Sequence, residues 1–192
     1  DMTTSINLLR AVSKRIAVIG AAFAGCLAIS PAAAAPTQGS LGATSTGIIN
    51  ISASVPNRAR ISGLSDVAFT NQDPATAASN AQNVCVWSNT ATKAYTITAS
   101  GSGAASAYTL SNGSGTVPYT VEWAATSGQT SGTALTAGSA SASLTSAAVN
   151  QNCSSAPLTT VSLIDKMCTT DLGTMSSGSS RTGSLTLLVT PQ

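Results

Sequence analysis

Apolar and polar residues alternate along much of this chain with a period of two. Ile49, Ile51, Ala53 and Val55 alternate with Asn50, Ser52 and Ser54, and Pro56 stops the run. Successive side chains of a strand point to opposite faces, so the run predicts a strand with one apolar face. Val84-Cys85-Val86-Trp87 and Tyr95-Thr96-Ile97-Thr98 carry β-branched and aromatic strand signals. Tyr119, Val121 and Trp123 alternate with Thr120, Glu122 and Ala124; Val161-Ser162-Leu163-Ile164 is another strand, and Leu185 to Thr190 is the last, ended by Pro191. Turn-forming clusters separate these runs, at 71–74, 101–106, 112–115, 127–132 and 176–180. The Ala/Ser/Thr tract 137–148 reads as a loop around a short strand near 142–144, because Gly138 and its many hydroxyl residues lower helix propensity. Short strands, Gly/Ser turns and no convincing helix predict an all-β, antiparallel sandwich.

The first 34 residues read as an address. Arg10, Lys14 and Arg15 form a positive segment, 16–29 is uncharged and mostly apolar, and Ala32-Ala33-Ala34 supplies small residues for cleavage. This is the order of a secretory signal peptide, expected to be cut after Ala34. The apolar run is short for a membrane span, which needs about 20 residues. Phe23-Ala24-Gly25-Cys26 is a loose lipobox, but apolar sequence continues past Cys26.

Composition narrows the chemistry. Of 192 residues, 43% are hydrophobic, only 7% are charged and none is histidine. A Ser-His-Asp triad, a Cys-His pair and a histidine-bound metal are therefore excluded. Eight scattered lysines and arginines cannot build a phosphate-binding face, so no nucleic-acid partner is expected. Beyond residue 34 the cations Arg58, Arg60, Lys93, Lys166 and Arg181 balance the anions Asp66, Asp73, Glu122, Asp165 and Asp171. A neutral hydroxyl-rich surface offers little like-charge repulsion against self-association. The acidic residues are widely spaced, no P-loop, dinucleotide fingerprint, G-x-S-x-G elbow or EF-hand loop occurs, and neither an enzyme nor a cofactor is expected. Asp73 and Asp171 read as turn or capping residues, and Asp165-Lys166 as a solvated strand end.

Three cysteines lie beyond the leader: Cys85, Cys153 and Cys168. An exported protein meets an oxidising compartment, so one disulfide is expected, and spacing leaves Cys85–Cys153 and Cys153–Cys168 both open. The leftover cysteine is expected to be a buried, inert thiol. Trp87 and Trp123 fall on apolar faces and read as core, whereas Tyr108 is free for surface contact.

The stretch 35–46 is small, polar and tail-like, and leads directly into the alternating run. Such a strand either pairs with its own sheet, as the first strand of a closed sandwich, or with a neighbour's open edge. Three segments, in order, resemble subunits of bacterial chaperone–usher pili of the colonisation-factor type. They are Gly47-Ile48-Ile49-Asn50-Ile51-Ser52-Ala53-Ser54-Val55-Pro56, then Arg60-Ile61-Ser62-Gly63-Leu64-Ser65-Asp66-Val67 with Val84-Cys85-Val86-Trp87-Ser88-Asn89, then Gly183-Ser184-Leu185-Thr186-Leu187-Leu188-Val189-Thr190-Pro191. The resemblance implies an immunoglobulin-like β-sandwich that lacks its last strand and is completed by a donated N-terminal strand. A periplasmic chaperone would fill the gap first, and an outer-membrane usher would exchange it for the next subunit's strand. Gly47, Ile49, Ile51, Ala53 and Val55 would then be the donor positions, with Gly47 or Ala53 at a shallow pocket. The resemblance also implies a Cys85–Cys153 bridge, and Cys168 and Arg181-Thr182 depart from the family's pattern.

The resulting expectation is a leader over 1–34, an extension with the donor strand over 35–57 and a pilin sandwich over 58–192. Its function would be structural: a homopolymer exported through the periplasm to the cell surface, supporting adhesion or biofilm formation. The alternative is a secreted coat or glycan-binding sandwich, which would fold completely as a monomer. A tip adhesin normally adds a domain and has no N-terminal donor strand, which favours a shaft subunit.

Overall fold

The computed structural model describes residues 35–192. The leader, its cleavage point after Ala34 and Cys26 lie outside the described residues. The chain divides into two units, one ending at Ala53 and one spanning Ser54–Gln192.

The larger unit is all-β and antiparallel. Its first sheet runs in the order β1 (Ala59–Ser62), β2 (Ala78–Ser88), β9 (Val161–Met167), β6 (Thr120–Ala124), β7 (Thr133–Ala134). Its second runs β10 (Leu185–Pro191), β3 (Ala94–Gly101), β8 (Leu144–Thr145), and a hairpin joins β4 (Thr109–Ser111) to β5 (Thr116–Pro118). Two-residue alternation sets the faces. Val84 and Val86 of β2, Val121 and Trp123 of β6, and Val161 and Leu163 of β9 meet Tyr95, Ile97 and Ala99 of β3 in one core. Burying each large side chain contributes about 1.5–3 kcal/mol, so this shared face holds the two sheets together. A second cluster, Ala78, Val117, Met167 and Leu172, brings the hairpin against the sheet.

Small hydroxyl residues do ladder work where strands run out. The Val86 N–H donates to Thr160 Oγ1 at 2.9 Å, and Ser146 Oγ donates to the Val86 carbonyl at 2.5 Å. Ser88 Oγ donates to the Ala94 carbonyl at 3.0 Å. Unpaired buried backbone groups are costly, which gives the buried Ser and Thr positions a structural purpose.

Several expectations need correction. Residues 169–172 form one turn of helix, α1 (Thr169–Leu172), where none was expected. The short strand of the Ala/Ser/Thr tract is Leu144–Thr145, slightly later than its composition suggested. Asp165 is not a solvated strand end: β9 runs on to Met167, and Asp165 is only 5% exposed. Tyr108 is half-buried against the main core and donates its hydroxyl to the Ala99 carbonyl at 3.3 Å. Cys168 is exposed rather than buried. The run 49–55 forms no strand.

Candidate functional site

The two sheets end beside each other in an open seam. β1 is the last strand of the first sheet and β10 the last of the second, so among the described residues each has one unpaired edge. Their Cα atoms approach within 8 Å, yet no ladder joins them. β10 pairs with β3 along its whole length, Leu185 opposite Gly101 to Pro191 opposite Tyr95. Its alternation puts Leu185, Leu187 and Val189 inward, where they pack on the core beside Ile61 of β1 but stay only half-buried. Leu188 faces outward and is exposed. The seam thus combines free backbone donors and acceptors with incompletely covered apolar side chains.

Glycine and amide side chains shape the β1 side. Gly63 has φ +84°, in the left-handed region, and ends the β1 ladder one residue after Ser62. Beyond it, the Gln82 amide brackets Ser65: it accepts from the Ser65 N–H at 2.9 Å and donates to the Ser65 carbonyl at 3.3 Å. Asn89 holds the chain just before β1. Its Oδ1 accepts from the Arg58 N–H at 2.6 Å, its Nδ2 donates to the Pro56 carbonyl at 2.9 Å, and its own N–H donates to the Arg58 carbonyl at 3.1 Å. The sequence carries no local signal of this role, because Asn89 stands 31 residues from Arg58.

The expected donor residues fall in two places. Gly47, Ile49, Ile51 and Ala53 belong to the smaller unit, and Val55 belongs to the larger one, which begins at Ser54. Ile49, Ile51 and Val55 are 73%, 86% and 78% exposed. Exposed branched aliphatics in an alternating row are unfavourable for an isolated chain in water.

Cys85 and Cys153 form a disulfide with Cα atoms 6.4 Å apart. It packs with Ala148 and the half-buried Trp87. Trp123 lies in the main core with its ring N–H donated to the Tyr95 hydroxyl at 3.4 Å. Arg181 lies over Gly115, and Thr182 bridges to Ser111. Asp73 accepts from the Ala75 N–H at 2.9 Å, a turn bond of the expected kind.

Charged groups are few. Glu122 and Lys166 pair at 2.7 Å, and this bond, with the Gly132 N–H, holds the Glu122 carboxyl below its ordinary range. Asp165 shares the inner face between the two core clusters, across the ladder from Asn80 and Val121. Burial pushes its carboxyl up to about 6, and its Oδ1 has no hydrogen-bond partner among the described residues. Burial, with smaller contributions from Asp165 and Tyr108, pushes the Tyr119 hydroxyl up to about 12. Among the described residues no group of three His, Cys, Asp or Glu side chains is placed to hold a metal ion.

No family model matches the chain, and no curated protein matches it either.

Proposed function

We propose that the chain is a structural subunit of a surface pilus, polymerised by donor-strand exchange. In this reading the larger unit is an immunoglobulin-like sandwich short of one strand, and the seam between β1 and β10 accepts the segment 49–55 of another copy. One observation carries it: the exposed alternating row Ile49, Ile51 and Val55 coexists with two neighbouring unpaired edges over half-buried Leu185, Leu187 and Val189. A donated strand would hydrogen-bond along those edges and lay its alternate side chains on the core. Burying two isoleucines and a valine is worth about 1.5–3 kcal/mol each, and Ala53 adds less.

The reading has a geometric requirement. Adjacent strands lie about 4.8 Å apart, so a strand seated between β1 and β10 needs nearly 10 Å between them. The seam would therefore widen on acceptance. Export, a periplasmic chaperone that shields the seam, and an outer-membrane usher belong to the same proposal, and it assigns the chain no catalytic role.

The test is denaturing electrophoresis of the purified protein with and without boiling, beside the double variant Ile49→Asp, Ile51→Asp. Each substitution would set a charge against an apolar core. A heat-labile ladder that disappears in the variant, while its unfolding midpoint stays that of monomeric wild type, is expected. A ladder that persists in the variant would refute the donor assignment. Monomer bands from both proteins would favour a closed binding module.

A further inference from the structure

The segment that precedes the exposed row is tied to itself. The Thr37 N–H donates to the Ile48 carbonyl at 3.0 Å, and the Ile48 N–H donates to the Thr37 carbonyl at 2.9 Å. This antiparallel bridge closes residues 37–48 into a loop. Two glycines let its neck close. A Cβ on Gly39 would collide with Ser45 Oγ, and a Cβ on Gly47 would sit 3.3 Å from the Thr37 carbonyl oxygen.

The loop bears on strand pairing. In an antiparallel ladder a residue's N–H and C=O point to the same edge, and successive residues alternate edges. Thr37 therefore fills the edge that Ile48 would offer to another strand. A strand of a second copy running along that edge meets Thr37 at Ile48 and can pair no further toward the N-terminus. Gly47 gains an explanation of its own: its missing side chain makes room for the Thr37 carbonyl.

We propose that loop 37–48 is a register stop that stays closed in the polymer and ends the donated strand at Ile49. The proposal rests on the donor-strand reading above. It assigns four donated positions, Ile49, Ile51, Ala53 and Val55, and removes Gly47 from the set. Ala53 is then the small residue over the shallow part of the seam.

The test locks the loop. Thr37→Cys and Ile48→Cys are combined with Cys168→Ser, so that the only new disulfide joins residues 37 and 48. The oxidised protein is compared by the same electrophoresis with its Cys168→Ser parent, the Cys85–Cys153 bridge being intact in both. The expected result is closure of the new bond by mass mapping, and a polymer yield within about twofold of the parent. Locked chains that stay monomeric while the parent polymerises would overturn the proposal, and so would two cysteines that fail to close under oxidant. Ile49→Asp with Ile51→Asp, run alongside, separates the failures. Polymer from that variant removes the donor-strand reading and the stop with it, whereas its absence together with unpolymerised locked chains removes the stop alone.

Discussion

Asp165→Asn tests the most unusual group in the core. The Asp165 carboxyl is 5% exposed, its Oδ1 is unpaired among the described residues, and burial lifts it from 3.8 to about 6. At pH 7.5 the group is ionised in both folded and unfolded chains, and the fold carries the cost of desolvation. As pH falls through about 6 the folded carboxyl takes up a proton, while the unfolded one stays ionised down to 3.8. The folded state then binds more protons, so stability rises as pH falls across that window. At 1.36 kcal/mol per pKa unit the full effect is about 3 kcal/mol. Asparagine keeps the shape and removes the charge, so the variant should be about 1–3 kcal/mol more stable at pH 7.5, with roughly a third of that lead left at pH 4.5 and none once pH falls well below 3.8. With a urea slope of about 2 kcal/mol/M this moves the midpoint by roughly 1 M. Tryptophan fluorescence in urea reports it, since Trp123 lies in the same core. Glu122 acts in the opposite sense. Its depressed pKa gives stability above its ordinary 4.5 that is lost below, so measurements between pH 5 and 7.5 isolate Asp165. A wild-type midpoint that falls between pH 7.5 and 5, or a variant no more stable at pH 7.5, would mean that Asp165 is paired and the reasoning wrong.

Two further outcomes follow from the core and its cross-link. Replacing Cys85 and Cys153 by serine opens a loop of 68 residues and should cost about 4 kcal/mol on the chain-entropy account, measured as a lower urea midpoint; an unchanged midpoint would show the bridge to be idle. Gly101→Ala would drive a methyl group into the Ala107 carbonyl, a backbone atom that cannot swing aside, and should lower the melting temperature by more than 5 °C; an unchanged melting temperature would show that the 101–108 turn is free to shift.

The strands and their inward faces were legible because alternation is a local signal. Val84, Tyr95, Ile97, Trp123 and Leu163 declared themselves by phase, and all are buried. What escaped depends on partners far along the chain. β1 has four residues, Ala59–Ser62, too few for a period, and exists because β2 offers the edge. Asp165 looked like a strand end because Lys166 follows it, yet Lys166 reaches Glu122 while Asp165 turns inward on the alternate face. The helical turn at Thr169–Leu172 is held by Leu172 entering the second core cluster, a packing effect that no propensity announces. The row 49–55 was read as a strand from the same alternation that found the others. It has the pattern but no ladder, because alternation records which side chains seek an apolar face and not whose backbone supplies one.

The Asn89 clamp also fixes a distance. With Pro56 and Arg58 both bonded to one amide, the extension is rooted at a definite point, and its free length is counted from Val55. The seven residues Ile49–Val55 span at most about 24 Å when fully extended. Any surface that takes up Ile49 must therefore lie within that radius of Pro56, whatever molecule owns it. In the proposed fibre this root would bear on the spacing between successive copies, so that two residues inserted between Val55 and Pro56, outside the donated positions, should lengthen the repeat rather than weaken each link.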